Sequence, residues 1–333
     1  MANQIPIDKL RDRGGYVDIG TKEDGAIVEM FDIDGVLIII KEKALYELRY
    51  ADDIDPGRVN PNLPPNVQRL LLKLGSESEL LSRTFITAKK LFRKESLVES
   101  FNINSALRFS LEAATELATM ESEINNYLAD EKKVCEEYET NRSKEVFYTI
   151  PSITDVTTRC KTIFQKADHV MQALMDIIKL FYNDLGKSPY YSDFINFIEK
   201  KYGNSDPFYE YLKKIFFIIE MIRNIRNCLD HRRSEILIKD FEIQLDGNVL
   251  TPTIEIEYLN SKLDRISLES FLPIILQNLI TIFENMLVGL CNKNLAQTPF
   301  TVKVVFVPPE KRKNKFVQYG YWSALGPGGF FQQ

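Results

Sequence analysis

The chain has 333 residues, of which 44% are hydrophobic and 27% are charged, and its formal net charge is −5. This composition argues against a disordered or low-complexity chain. The acidic balance argues against non-specific coating of nucleic acid, so any such contact must be confined to a patch. The four cysteines include no C-x-x-C pair, which argues against a disulfide framework or a structural zinc site and predicts a reducing, cytoplasmic location.

Strand and turn signals come first along the chain. The dipeptide Asp34-Gly35 suits a primed hairpin turn, and residues 52–65 are rich in Asp, Asn and Pro, which predicts an extended connector. The strands expected here are at residues 16–19, 26–31 and 36–40. Apolar residues at three- and four-residue spacing then predict helices at 66–74, 79–92 and 105–138.

Start and stop signals are clearer in the second half of the chain. Ser152 and Asp155 have the spacing of a capping box and predict the start of a helix that stops at Gly186. Asp206 and Pro207 predict the cap and first turn of a later helix. The remaining predictions are helices at 192–202 and 267–291, a hairpin of strands 235–243 and 251–258, and strands at 300–307 and 316–322 joined by a basic turn at 311–315.

One segment, residues 271–291, has about the length of a bilayer span. Polar and charged residues interrupt it, namely Gln277, Asn278, Glu284 and Asn285. Such residues are costly in a membrane, so the segment is interpreted as a buried helix and no membrane contact is expected. The glycine-rich stretch 326–329 has neither a following helix nor a lysine, and is interpreted as a flexible end rather than a phosphate loop.

These elements predict a mainly α (α+β) protein in three regions. Region 1–150 holds an amino-terminal β-hairpin followed by helices, region 151–295 is a helical domain with a β-hairpin insertion, and region 296–333 is a short two-stranded element with a tail.

The most informative local sequence lies at the polar end of the helix that starts at Asp206. Residues 223–233 contain four arginines against one aspartate, although the whole chain is acidic. Such a local excess of positive charge indicates an anionic ligand. Arg226 and His231 pair a permanently charged fork that fits a phosphate with an imidazole that exchanges protons near neutral pH.

An arginine, a polar residue, three more residues and a histidine at the end of a bundle helix resemble the R-x4-6-H motif of the HEPN superfamily, many of whose members are ribonucleases. The resemblance implies a four-helix domain over about residues 155–291 that dimerises so that two motifs line one cleft. It implies catalytic roles for Arg226, His231 and Asn227. The flanking arginines Arg223, Arg232 and Arg233 are the candidates for binding phosphate or RNA.

In family terms the reaction needs neither metal nor cofactor: the RNA 2′-hydroxyl attacks the adjacent phosphate, histidine moves protons, and arginine stabilises the developing charge. DNA lacks that hydroxyl and would be inert. The resemblance further implies a toxin or antiviral effector restrained by a neutralising antitoxin or defence-system partner.

Two departures from the family pattern stand out. Members that are paired with nucleotidyltransferase antitoxins tend to carry a tyrosine two residues after the histidine, whereas this chain has Arg233 there. The E-x3-K-R element of other members has only a loose counterpart at Glu199-Lys200-Lys201.

Other interpretations of these residues remain open. Arg226 and Asp230 form an i,i+4 pair that suits a solvated helix face, and a histidine at a helix carboxyl end is favoured by the macrodipole alone. The arginine cluster also suits a non-catalytic phosphate-binding, nucleotide-binding or protein-interaction module. The Asp32-x-Asp34-Gly35 sequence resembles the first motif of haloacid-dehalogenase-like phosphatases but is interpreted as a hairpin turn, and Cys228 is interpreted as a buried cysteine rather than a thiol nucleophile.

Overall fold

Helices make up about half of the chain and strands about 20%, so the protein is a mixed α+β protein, and the coarse fold prediction is confirmed. The computed structural model describes residues 7–12, 17–142, 149–187, 189–324 and 329–332. Unit 1 consists of Met1–Leu111 with Leu295–Gln333, and unit 2 is Glu112–Asn294. The division into three regions that the sequence predicts remains a prediction of the domain organisation.

Unit 1 contains a four-stranded antiparallel sheet in the order β1-β2-β3-β4. Its strands are β1 (Ile27–Ile33), β2 (Val36–Lys41), β3 (Leu45–Tyr50) and β4 (Asn66–Leu72). Asp34 and Gly35 both have positive φ, at 52° and 81°, as a primed turn requires. The predicted hairpin is therefore confirmed.

Two sequence predictions for this sheet are wrong. Residues 66–72 form β4 and not a helix, because they pair along β3, with Leu70 opposite Tyr46; a short apolar run fits either period until a partner strand decides. Residues 17–19 form no strand, and Tyr16 lies outside the described residues. Val17 and Ile19 instead pack on the apolar cluster of the sheet, while Lys41 Nζ donates to the Ile19 carbonyl at 2.8 Å.

The helical parts of unit 1 are short. They are α1 (Ile7–Arg11), α2 (Ala51–Ile54), α3 (Glu79–Leu81) and α4 (Thr87–Leu91). A π-helical turn, Ser82–Ile86, joins α3 to α4, so the helix predicted at 79–92 is confirmed with an unpredicted π turn inside it. The predicted connector at 52–65 is irregular apart from the end of α2.

The last strands of the chain also belong to unit 1. Strands β10 (Val302–Phe306), β11 (Tyr319–Ser323) and β12 (Phe330–Gln332) form an antiparallel sheet in that order. The predicted two-stranded element therefore lacked one strand. Within the basic turn, Asn314 Nδ2 donates to the Ser76 carbonyl at 2.8 Å. Residues 326–328 of the predicted flexible end lie outside the described residues.

Long helices build unit 2. Helix α5 (Ile103–Arg142) begins in unit 1 and continues into unit 2, which also contains α6 (Val156–Phe181), α7 (Tyr191–Tyr202), α8 (Pro207–Asp230) and α9 (Leu268–Lys293). Asp206 Oδ1 accepts from the backbone N–H groups of Phe208 and Tyr209, so the predicted cap of α8 is confirmed. Ser267 caps α9 in the same way.

The predicted start and stop of α6 are wrong. The helix begins only at Val156, and its cap residue Asp155 is left-handed, with φ 62° and no side-chain cap. The Ser152 hydroxyl donates to Asp240 at 2.5 Å, so a partner distant in sequence takes the group that a capping box would use. The helix ends at Phe181, before Gly186.

A second small sheet follows α8. Strands β5 (Ile236–Lys239), β8 (Thr253–Tyr258) and β9 (Ser261–Ser267) form it in the order β5-β8-β9, and β6 (Glu242–Ile243) pairs with β7 (Val249–Leu250) next to the turn at Gly247. The predicted hairpin insertion is confirmed, and β9 is an additional strand that the sequence did not indicate.

Helix α9 lies in the apolar interior of unit 2. Among the described residues it is the one helix long and apolar enough to cross a membrane, and 61% of its apolar window is buried within the protein. Gly289 shows how closely it packs, since a Cβ at this position would lie 2.2 Å from the ring of Phe208 on α8. The interpretation as a buried helix agrees with this environment.

Candidate active site at the end of helix α8

Helix α8 ends in a Schellman turn without glycine. His231 is the cap residue, Arg232 has φ 50°, and the Arg233 N–H donates to the Cys228 carbonyl at 2.9 Å. This is the 6→1 hydrogen bond of that turn. The chain therefore leaves the helix at His231, and His231, Arg232 and Arg233 are all exposed.

Arg226 lies five residues before His231, and several neighbouring side chains hold its guanidinium. Its Nε lies 3.3 Å from Asp168 Oδ2 and 3.2 Å from Asp230 Oδ2. Its Nη1 donates to Asn227 Oδ1 at 3.0 Å. The Arg226 side chain keeps 31% of its surface exposed, so the guanidinium is balanced by carboxylates but still reaches solvent.

Asp230 in turn is shared between α8 and α6. Lys161 Nζ lies 3.2 Å from its carboxylate, and Gln165 Nε2 donates to it at 2.9 Å. Burial alone would raise the pKa of Asp230, but the hydrogen bonds from Lys161 and Gln165, with the charge of Arg226, outweigh it and lower that pKa. Asp230 is thus charged at neutral pH and reinforces the hold on Arg226.

His231 is in the opposite situation. Its imidazole has no hydrogen bond or ion pair with any residue that the structure describes. It is also absent from the described lining of the cleft beside Arg226. The structure therefore brings Arg226, Asn227 and Asp230 together and leaves His231 beyond them, free to meet a ligand or a second molecule.

The flanking arginines point to different neighbours. Arg223 lies over the ring of Tyr190, with its guanidinium carbon 4.3 Å from the ring centre. Arg233 lies over Tyr258 at 5.0 Å and 4.0 Å from Glu235. Arg232 has no side-chain partner in the described part of the chain. The arginines thus surround the end of α8 and do not converge on one point.

A cleft of about 760 Å³ runs beside this end of α8. Helix α6, the start of α7 and helix α8 form its walls, and it is open to solvent. Arg223, Arg226 and Asn227 line it together with an apolar group consisting of Met171, Met175, Phe216 and Ile219. The cleft therefore joins Arg226 and Asn227 of the predicted motif to a surface that has room for a small molecule or a nucleotide.

Several residues of this region carried no signal in the sequence. Asp168, Lys161 and Gln165 belong to α6 and meet α8 only because the two helices pack together. Two further residues could have been noticed: Tyr190 is an aromatic residue next to Pro189, and Glu220 lies one turn before Arg223 on the same helix face.

The alternative sites considered from the sequence are the Asp32-x-Asp34-Gly35 segment and Cys228. The Asp32 carboxylate accepts from the Gly35 N–H at 3.0 Å and so holds the hairpin turn, as interpreted. The Asp34 carboxylate accepts from Asn104 on α5 at 2.9 Å. Cys228 is buried, and burial raises the pKa of its thiol, which disfavours a nucleophile. No group of three or more His, Cys, Asp or Glu residues within the described ranges could hold a metal ion.

No protein-family model matches the chain, and neither a curated protein nor a solved structure matches it significantly.

Proposed function

We propose that this protein is a metal-independent endoribonuclease of the HEPN type. The observation that carries the proposal is the imidazole of His231, which is exposed at the end of α8, five residues after Arg226, and has no partner among the described residues. Helices α6 to α9, with the strand insertion between α8 and α9, support the proposed HEPN-like four-helix bundle.

The proposed reaction uses the RNA itself as the nucleophile. His231 takes the proton of the 2′-hydroxyl as the new bond from O2′ to phosphorus forms and the bond to the 5′-oxygen breaks, and an imidazolium returns a proton to that leaving oxygen. Arg226 stabilises the charge on the phosphoryl oxygens, and Asn227 orients the guanidinium of Arg226. The phosphate must compete with Asp168 and Asp230 for the guanidinium.

A second copy of the chain completes the proposed site. Five positions correspond to about 140° of rotation on a helix, and Arg226 is directed toward α6 while His231 lies past the helix end. A twofold contact between two α8 ends would place the imidazole of one protomer beside the guanidinium of the other. A neutralising antitoxin or defence-system partner in the cytoplasm would then act by covering this exposed end.

The experiment is RNA cleavage in excess chelator by the purified protein. We expect fragments ending in 2′,3′-cyclic phosphate, and we expect His231→Ala and Arg226→Ala each to abolish them while the circular dichroism spectrum is retained. His169→Ala is the matched control, since His169 is the other histidine and is exposed beside Glu116. Equal cleavage by His231→Ala and the wild type would end the proposal.

A second candidate is a non-catalytic phosphate-binding, nucleotide-binding or interaction module. The observation that favours it is the double carboxylate hold on Arg226. If this candidate is correct, RNA of varied sequence should remain intact. Binding of that RNA should survive His231→Ala and weaken in Arg223→Ala.

A further inference from the structure

The cleft beside α8 contains chemistry that phosphate cleavage does not require. Its apolar floor includes Met171 and Met175, which are almost fully buried, and its rim carries charged groups along one face of α8. An apolar surface with few polar groups at fixed places is typical of a site that recognises a small organic group.

Glu220 is the carboxylate in this cleft that remains available. Asp168 is paired with Arg226, and Asp176 with Lys179 at 2.9 Å. Glu220 lines the same cleft and has no hydrogen bond or ion pair with any residue in the described ranges. A half-buried carboxylate without a partner favours a ligand that supplies N–H donors.

Arg223 and Tyr190 provide a flat surface beside Glu220. The guanidinium lies over the tyrosine ring at 4.3 Å and has no carboxylate partner among the described residues. Stacked guanidinium and aromatic planes are the surfaces on which proteins hold unstacked RNA bases. Glu220 lies six residues before Arg226, about 9 Å along the helix axis, so base and phosphate sites would be separated by about the size of a nucleotide.

We propose that this cleft binds a guanine base of the nucleotide next to the scissile phosphate. The Watson–Crick edge of guanine presents two adjacent N–H donors, which one carboxylate accepts together, whereas the edges of adenine and cytosine place an acceptor beside a single amino donor and would face Glu220 with repulsion. Assigning the base to RNA that is being cut rests on the proposed function.

Nucleotide binding tests the inference without any need for cleavage. Isothermal titration with guanosine 3′-monophosphate and adenosine 3′-monophosphate should give about tenfold tighter binding of the guanosine nucleotide, as a bidentate contact provides. Glu220→Gln should remove this preference. Glu210→Gln is the matched control, because Glu210 is exposed on the same helix and does not line the cleft. Equal affinity of the wild type for both nucleotides would overturn the inference.

Mapping of cleavage products separates this inference from the proposed function. Fragments from an RNA pool should be enriched in guanine at the cleavage site, and Glu220→Gln should lose the enrichment while cutting continues at other bases. Cleavage without guanine enrichment overturns the inference and leaves the ribonuclease proposal standing. Guanosine-selective binding that depends on Glu220, with RNA left intact, supports the inference and overturns the ribonuclease proposal.

Discussion

Arg226 and His231 have different surroundings although they are near neighbours in sequence. Arg226 is held by Asp168 and Asp230, whereas the His231 side chain has no partner within the described residues. The difference arises at the cap, because the chain turns out of the helix at His231 and Arg232 takes a left-handed conformation. Backbone geometry at the cap therefore accounts for the exposure of His231, whereas the side chains of Asp168 and Asp230 fix Arg226.

Arg232→Gly should stabilise the protein. A non-glycine residue in the left-handed region costs roughly 1 to 2 kcal/mol, and Arg232 has φ 50° without a side-chain partner in the described chain. We expect the free energy of unfolding in urea to rise by about 1 kcal/mol. Arg232→Ala is the control, since it removes the charge but keeps the Cβ, and an equal gain in that variant would point to charge rather than backbone strain.

Asp230→Asn should change how stability depends on pH. Burial acts to raise the pKa of Asp230, but its bonds to Lys161 and Gln165 and the charge of Arg226 lower it below the ordinary 3.8. A lowered pKa stabilises the fold above the unfolded value, and this contribution is lost as the pH falls through the folded value. The free energy of unfolding in urea should therefore be higher for the wild type than for the variant at neutral pH, and this gap should narrow below pH 3.8. A gap that is constant with pH would contradict this account.

Contacts with neighbouring elements hold helix α8, which carries the candidate site, in a fixed position. At its start Asp206 accepts two backbone N–H groups and contacts Lys293 of α9, and Phe208 lies close to Gly289 of the same helix. Along its length α8 packs on α6 and α7. A helix that is anchored in this way keeps Glu220, Arg223 and Arg226 in a fixed spacing, which a cleft that selects its ligand requires.

Asp206→Ala should weaken this anchoring. Loss of an N-cap side chain costs about 1 kcal/mol, and this variant also loses the contact with Lys293. Asp206→Asn keeps a capping oxygen and removes the charge, so it should retain most of the stability that Asp206→Ala loses. Thermal unfolding followed by circular dichroism measures both. Equal losses in the two variants would assign the effect to the ion pair instead of the cap.

At the scale of the whole molecule, unit 2 contains every predicted site residue and the cleft beside them. Unit 1 contributes two sheets and a π-containing helical segment with no assigned chemistry. The proposed reaction therefore depends on unit 2 and on a second copy of it, and the formation of that dimer is the property to test.

Mixing two inactive variants tests the shared site. In a heterodimer, an Arg226→Ala protomer still supplies His231 and an His231→Ala protomer still supplies Arg226. If the reacting pair comes from opposite protomers, RNA cleavage should partly return when the variants are denatured together and refolded. Mixtures that form heterodimers yet stay inactive would show that each site uses residues of one chain.

The sequence by itself determined the features that depend on near neighbours. The Asp206 cap, the Asp34-Gly35 turn and the polar end of α8 are all encoded within a few positions. Only the tertiary structure decided the pairing of β4 with β3, the displaced start of α6 and the hold of Asp168 on Arg226. Each of these depends on a partner distant in the chain, and the free energy of pairing or packing with that partner outweighs the weak local preference that a sequence pattern expresses.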